Sequence, residues 1–191
     1  MKRMSIILAT VAVLTLGVAG YASLATKPAT VPSTHVTERV LSKYEVGPPD
    51  AQELLELVNR ARHEVGVAPL TIDEGLNTSA QIKADDMSNN DYFGHVDANG
   101  KHGYEYAYEY SANCKVPSEN IVGADTSIAA VNWWNTSEQH HTAMINPEYT
   151  ITGIGIKYVD RIPLERITSS KPVNTDLVDS YVVVQHFCTV K

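Results

Sequence analysis

Apolar residues return at helical spacing in three stretches of this chain and give way to β-branched runs in two others. From Ala51 onward, Leu54, Leu57, Val58, Ala61 and Val65 recur every three or four residues, the rhythm of one helix face. Asp50 and Glu53 form a capping box with Asp in the cap position, so a first amphipathic helix is expected from about Ala51 to Val65, stopping near Gly66. Asp73 is placed to cap a second helix whose apolar face is Leu76, Ala80, Ala84 and Met87, closed by Asn89-Asn90-Asp91. Thr126 caps a third, carrying Ile128, Val131 and Trp134. Toward the end, Ile154 to Val159 and Tyr181 to Phe187 predict strands. The polar stretch from Asp160 to Asp179 between them reads as the elaborated connection of an antiparallel pair. One segment resists the pattern. Tyr104 to Tyr110 alternates strictly, as a strand does, yet no hairpin partner lies nearby.

The N-terminus follows another logic. Lys2 and Arg3 precede an uncharged, mostly apolar run from Ser5 to Gly20, and Ala22 or Ala25 offers a small residue for cleavage. Residues 1–25 therefore read as an export signal. The run also approaches the roughly 20 residues that span a bilayer, so an uncleaved membrane anchor is the alternative. Either places the remainder outside the cytoplasm. Thr26 to Pro49, rich in Thr, Pro, Ser and Val and ending in Gly47-Pro48-Pro49, reads as an extended linker to a domain at 50–191. With 191 residues and 43% hydrophobic content the chain can build one genuine core. Its net charge of −7 argues against sequence-independent nucleic-acid binding, which needs a basic stripe to displace phosphate counterions. Cys114 and Cys188 are the only cysteines. In an oxidising compartment their pairing is expected, with two buried thiols as the alternative, and a four-cysteine zinc site is excluded by count.

Read in order, Asn59 with Arg62, Leu70 and Leu76, Phe93 with His95, Glu119-Asn120, Trp134-x-x-Ser137-x-x-His140, Asn146-Pro147 and Gly153-x-Gly155 form a series that resembles the CAP superfamily. These are the SCP-like extracellular domains of cysteine-rich secretory, antigen 5 and pathogenesis-related proteins, and the match is nearest their compact microbial members. The resemblance runs over roughly Asp50 to Phe187. It implies an α+β fold, a three-layer α/β/α sandwich with a mainly antiparallel central sheet, and a cleft lined by His95, Glu119, Ser137 and His140. It also implies that the tyrosine segment is helical. Ser137 departs from the larger eukaryotic members, which have a second glutamate there, and Glu138-Gln139 stands where microbial relatives often have Pro-Gly.

Two neutral imidazoles with a carboxylate nearby can hold a divalent ion of the zinc type. His95 and His140 are the candidate ligands, for an ion bound weakly and not required. The alternative is that the histidines belong to a buried polar network tying helix to sheet. His140 and His141 would point about 100° apart on one helix. The resemblance selects His140, a break at Asn135-Thr136 would reset the phase, and His141 is then expected on the surface. Ser137 lies within a helical turn of His140 and could act as a nucleophile, but no Gly-x-Ser-x-Gly elbow accompanies it. The competing role is an N-cap for the turn carrying His140. Trp133 and Trp134 read as rim and core packing, and the Gly153/Gly155 pair as a place of close backbone approach. The expected function is a secreted or surface-tethered binding module for a lipid, small molecule or cell-envelope component, touching a membrane only through its N-terminal segment. The alternatives are a metal-assisted hydrolase using His95, Glu119 and His140, and a purely structural surface domain.

Overall fold

The computed structural model describes residues 47–162 and 178–190. The leader, all but the end of the linker, and most of the Asp160 to Asp179 connection lie outside the described residues. Helix α1 (Ala51–Glu64) starts where Asp50, in extended conformation, accepts a hydrogen bond from the Glu53 N–H at 3.0 Å. This satisfies one of the donors that every helix start leaves open. Asp73 does the same for α2 (Glu74–Asn89), accepting from Leu76 N–H at 2.9 Å. Asn90 ends that helix, and Asp91 turns the chain with a φ of 52°. The tyrosine segment is helix α3 (Gly103–Tyr110), as the resemblance implies. Tyr106 and Ala107 face inward while Tyr104 and Tyr108 stay exposed. Thr126 caps α4 (Ser127–Thr136), and Ser137 separates it from α5 (Glu138–Ile145).

Four strands, β1 (Thr71–Ile72), β2 (Cys114–Ala124), β3 (Ile151–Ile162) and β4 (Val178–Val190), form one sheet in the order β1-β3-β4-β2. β4 runs antiparallel to both neighbours and β1 parallel to β3. Hydrophobic patterning anticipated β3 and β4 but neither β1 nor β2. β1 is two residues long, and the first half of β2 reads Lys-Val-Pro-Ser-Glu-Asn, a polar run interrupted by proline. Pro117 is tolerated because β2 is an edge strand whose register shifts between Cys114 and Pro117. Cys114 and Cys188 are joined in a disulfide with Cα atoms 5.4 Å apart. The bond fastens the start of β2 to the end of β4 and closes a separation of 74 residues. On the chain-entropy account such a loop is worth about 4 kcal/mol.

Alternate strand residues point to opposite faces. One face sets Val122, Ile154, Val183 and Phe187 against Leu54, Val58, Trp134 and Met144 of α1, α4 and α5. The other sets Ile121, Val182 and Val184 against Ala80, Ala84 and Met87 of α2. The sheet thus lies between helical layers, an α/β/α sandwich. α2 rests almost directly on β3. A Cβ on Gly153 would fall 2.0 Å from the backbone of Leu76, and one on Gly155 2.3 Å from that of Ala80. From the same helix, Asn77 and Gln81 reach the edge of β3 that β1 is too short to cover. Asn77 Oδ1 accepts from Ile154 N–H at 3.0 Å, and the Gln81 amide bonds both the N–H and the C=O of Ile156 at 3.1 Å.

Candidate functional site

Glu119 and Asn120 are neighbours on β2 and therefore point to opposite faces of the sheet. On the α2 face, Glu119 lies beside His186, its cross-strand partner on β4. His186 Nε2–H donates to Glu119 Oε2 at 2.9 Å, and His95 Nδ1–H donates to Oε1 at 2.7 Å. Behind His186, its Nδ1 meets the Ser79 hydroxyl of α2 at 2.7 Å. Exposure falls steeply along this row: the side chains are 53% exposed at His95, 4% at Glu119 and 0% at His186. Burial pushes the Glu119 carboxyl up, but the hydrogen bonds and charges of His186 and His95 outweigh it and hold the group below its ordinary value. Gly103 makes room for the carboxylate, since a Cβ there would fall 1.8 Å from Oε2, and its N–H donates to the His95 carbonyl at 2.8 Å.

Beneath this row lies Lys83, fully buried on α2. Burial depresses its ammonium pKa, opposed by the negative charges of Glu119, Asp86 and Asp97 in that order. Its Nζ donates to the Tyr92 hydroxyl at 3.0 Å, and that hydroxyl donates in turn to Asp86. Tyr106 donates to Asp97 at 3.0 Å.

On the opposite face, Asn120 Nδ2 donates to the carbonyl of His140 at 3.0 Å. One dipeptide on the edge strand thus holds both histidine-bearing segments. His140 Nδ1 meets the Ser137 hydroxyl at 2.6 Å, and the Trp133 ring packs against the imidazole with centroids 4.8 Å apart. Ser137 occupies the N-cap position of α5, but its side chain makes no capping hydrogen bond and serves His140 instead. Burial, then the nearby charge of His95, lowers the His140 pKa. α4 stops at Thr136, so the phase is reset before the histidines. His141 turns aside, with its Nδ1 at 3.1 Å from Asn135 Oδ1. Trp134 is fully buried, whereas Trp133 is only partly so.

α5 is placed by Arg62, fully buried on α1. Its guanidinium donates to the carbonyls of Ala68 at 2.8 Å, Met144 at 2.7 Å, Asn146 at 3.0 Å and Tyr149 at 2.8 Å. This is the work of a planar fork with five donors. Asn59, one turn earlier, exchanges two hydrogen bonds with the backbone of Leu70. The Asn59/Arg62 pair therefore supports the site from behind.

Sequence reasoning missed His186, Ser79 and Lys83. The one signal was a histidine at position 186, in step with Val182 and Val184 on an inward face. Both Glu119 oxygens are engaged by imidazoles, so the nitrogens left to a ligand are Nε2 of His95 and Nε2 of His140. Among the described residues no three His, Cys, Asp or Glu side chains converge as a metal cage. A pair of imidazoles falls short of the three or four protein ligands of a tight zinc site.

A family profile for the cysteine-rich secretory proteins, known as CAP, matches residues 55–185. The chain belongs to the CAP family. Over 132 residues this CAP domain is 33% identical to the uncharacterised protein YkwD of Bacillus subtilis, an alignment covering 67% of the chain and 49% of that relative. The chain thus spans about half the length of this curated relative. Among solved structures, an extracellular SCP-domain protein of Bacillus anthracis is similar with a TM-score of 0.56 at 20% identity, over 73% of this chain and 40% of that one. An outer surface protein of Borrelia burgdorferi gives 0.54 at 18% identity, over 83% and 96%. At these identities the likeness shows that the CAP fold is shared. Among the described residues no helix is long and apolar enough to cross a membrane.

Proposed function

We propose that this CAP domain is an extracytoplasmic binding module that receives a lipid, small molecule or cell-envelope component at the cleft between His95 and His140. One observation carries the reading. Each cleft imidazole has its Nδ1 engaged inside the protein, by Glu119 and by Ser137, which leaves Nε2 of each for a guest. Fixing one ring nitrogen through a neighbouring group orients the other. The charged start and apolar run of residues 1–25, and the extracellular and outer-surface relatives that share the fold, support the compartment. Zinc is a suitable probe because imidazole nitrogen is one of its ordinary ligands, and two imidazoles fall short of a full protein set, which makes for weak binding. The hydrolase reading is less favoured, because Glu119 is 4% exposed and both its oxygens already accept from histidines, so it is poorly placed as a base toward water.

Zinc titration of the full chain near pH 7.5, where histidine is mostly neutral at its reference pKa of about 6.5, tests the site. Binding is expected to be weak in the wild type, lost in His95→Ala and His140→Ala, and unchanged in His141→Ala. Equal binding in all four proteins would remove the cleft as a ligand site. Turnover of peptide, ester or glycan substrates that depends on added zinc would replace the binding reading with the hydrolase.

A further inference from the structure

Four buried side-chain polar atoms among the described residues have no hydrogen-bond partner: the hydroxyls of Ser111 and Thr189, the indole Nε1 of Trp134 and the amide Oε1 of Gln185. A hydroxyl can turn to suit its surroundings, but an indole N–H only donates and an amide oxygen only accepts. Buried polar groups left in this state are costly, and in folded proteins nearly all are satisfied by protein or by ordered water. Trp134 and Gln185 are both fully buried, so bulk solvent does not reach them.

The orientation of the Gln185 amide is fixed by its neighbour. Thr152 has one hydroxyl hydrogen, which it donates to the His186 carbonyl at 2.7 Å. Toward Gln185 the Thr152 oxygen can therefore only accept, which it does from Nε2 at 3.1 Å. Turning the amide over would set oxygen against oxygen, so Oε1 points away from Thr152.

The two orphaned atoms share one layer of the fold. Gln185 lies in phase with Val183 and Phe187 on β4 and pairs with Ile154 of β3. Val183, Phe187 and Ile154 all belong to the apolar cluster that includes Trp134. A donor and an acceptor thus stand in the same cluster with no direct hydrogen bond between them. A water placed between them accepts from the indole and donates to the amide, which gives it the pair of polar partners a buried water needs.

Such a bridge closes a ring of contacts behind the cleft. Gln185 pairs with Asn120 across β4 and β2, and Asn120 Nδ2 donates to the His140 carbonyl at 3.0 Å. Ser137, hydrogen-bonded to His140, returns its N–H to the Trp134 carbonyl at 3.3 Å.

We propose that a single ordered water is bound between Trp134 Nε1–H and Gln185 Oε1, fastening the end of α4 to the centre of the sheet behind the wall that carries His140. The site stands independently of what the cleft binds.

NMR of the full chain, with cross-relaxation to water read at the Trp134 indole proton, tests it. The wild type should show a cross-peak to water with the sign of a long-resident molecule. Gln185→Met keeps the length of the side chain and deletes the acceptor, so the cross-peak should be lost. The amide signal of His140 should shift in that variant, and that of His95, on the opposite face of the sheet, should not. A wild type without the cross-peak overturns the proposal. So does a cross-peak that survives in Gln185→Met, which would come from a neighbouring hydroxyl or from water held by other groups. A shift at His95 as large as that at His140 would remove the link to the His140 wall. If the methionine variant does not fold, a high-resolution crystal structure of the wild-type chain decides. One ordered water is expected within hydrogen-bond distance of both atoms, and a direct bond between indole and amide would overturn the proposal.

Discussion

On the side of the sheet covered by α1, α4 and α5, large apolar side chains dominate the buried interior, Trp134, Phe187, Leu54 and Met144, and the buried charge of Arg62 on α1 is spent on backbone carbonyls. On the side covered by α2, alanines and glycines make the contact, and Lys83, His186 and Ser79 are buried beside Met87. The first side gains stability from removing apolar area from water, at about 25 cal/mol per Å². The second brings a helix backbone close enough for a serine, the shortest of hydroxyl side chains, to reach a histidine on a central strand. The thick face holds the domain together, and the thin face holds a polar line in register.

This division predicts unequal costs. Trp134→Ala should destabilise by about 3–5 kcal/mol, the range for emptying an aromatic site in a core, measured by urea unfolding. Gly155→Ala should cost about 1–3 kcal/mol through overpacking. It should also disturb the amide signals of Ala80, Gln81 and Val184 more than those of Trp134. If the glycine variant proved the costlier of the two, or its shifts spread evenly over both faces, the two sides would not differ as described.

The smallest effect is one of shape. The folded Glu119 pKa lies below its unfolded value of 4.5. The folded state therefore sheds that proton more readily, and the resulting stabilisation is complete above about pH 4.5 and is lost as pH falls through the folded pKa. Glu119→Gln should be less stable than wild type near neutrality, and the gap should narrow as the pH drops below 4.5. A constant gap down to the acid transition would mean that the carboxylate charge contributes nothing beyond the shape of the side chain.

The same contrast explains what could be read from the sequence. The thick face announced itself, because Leu54, Val58, Val131 and Trp134 repeat at helical spacing and their caps, Asp50 and Thr126, are standard donors' partners. His95, Glu119 and His140 were legible only through resemblance to the CAP domains, since no local pattern brings residues this far apart in the chain together. β2 was hidden because its first half is polar and interrupted by Pro117, and its Glu119 and Asn120 find their partners far away in sequence. His186 and Ser79 were hidden because each is satisfied by the other at a separation of 107 residues, which leaves no periodic trace, and Lys83 because a lysine on a helix reads as solvent-facing, although here it is buried against Tyr92.

Asn77 and Gln81 place three hydrogen-bonding atoms where a neighbouring strand would otherwise supply them. An open strand edge is a template on which another chain can add and from which aggregation can spread. Here two amides on one turn of α2 occupy the backbone groups of Ile154 and Ile156, so along that stretch the sheet is closed to a further strand by its own helix. At high local concentration, a second copy would have to displace both amides before it could extend the sheet there.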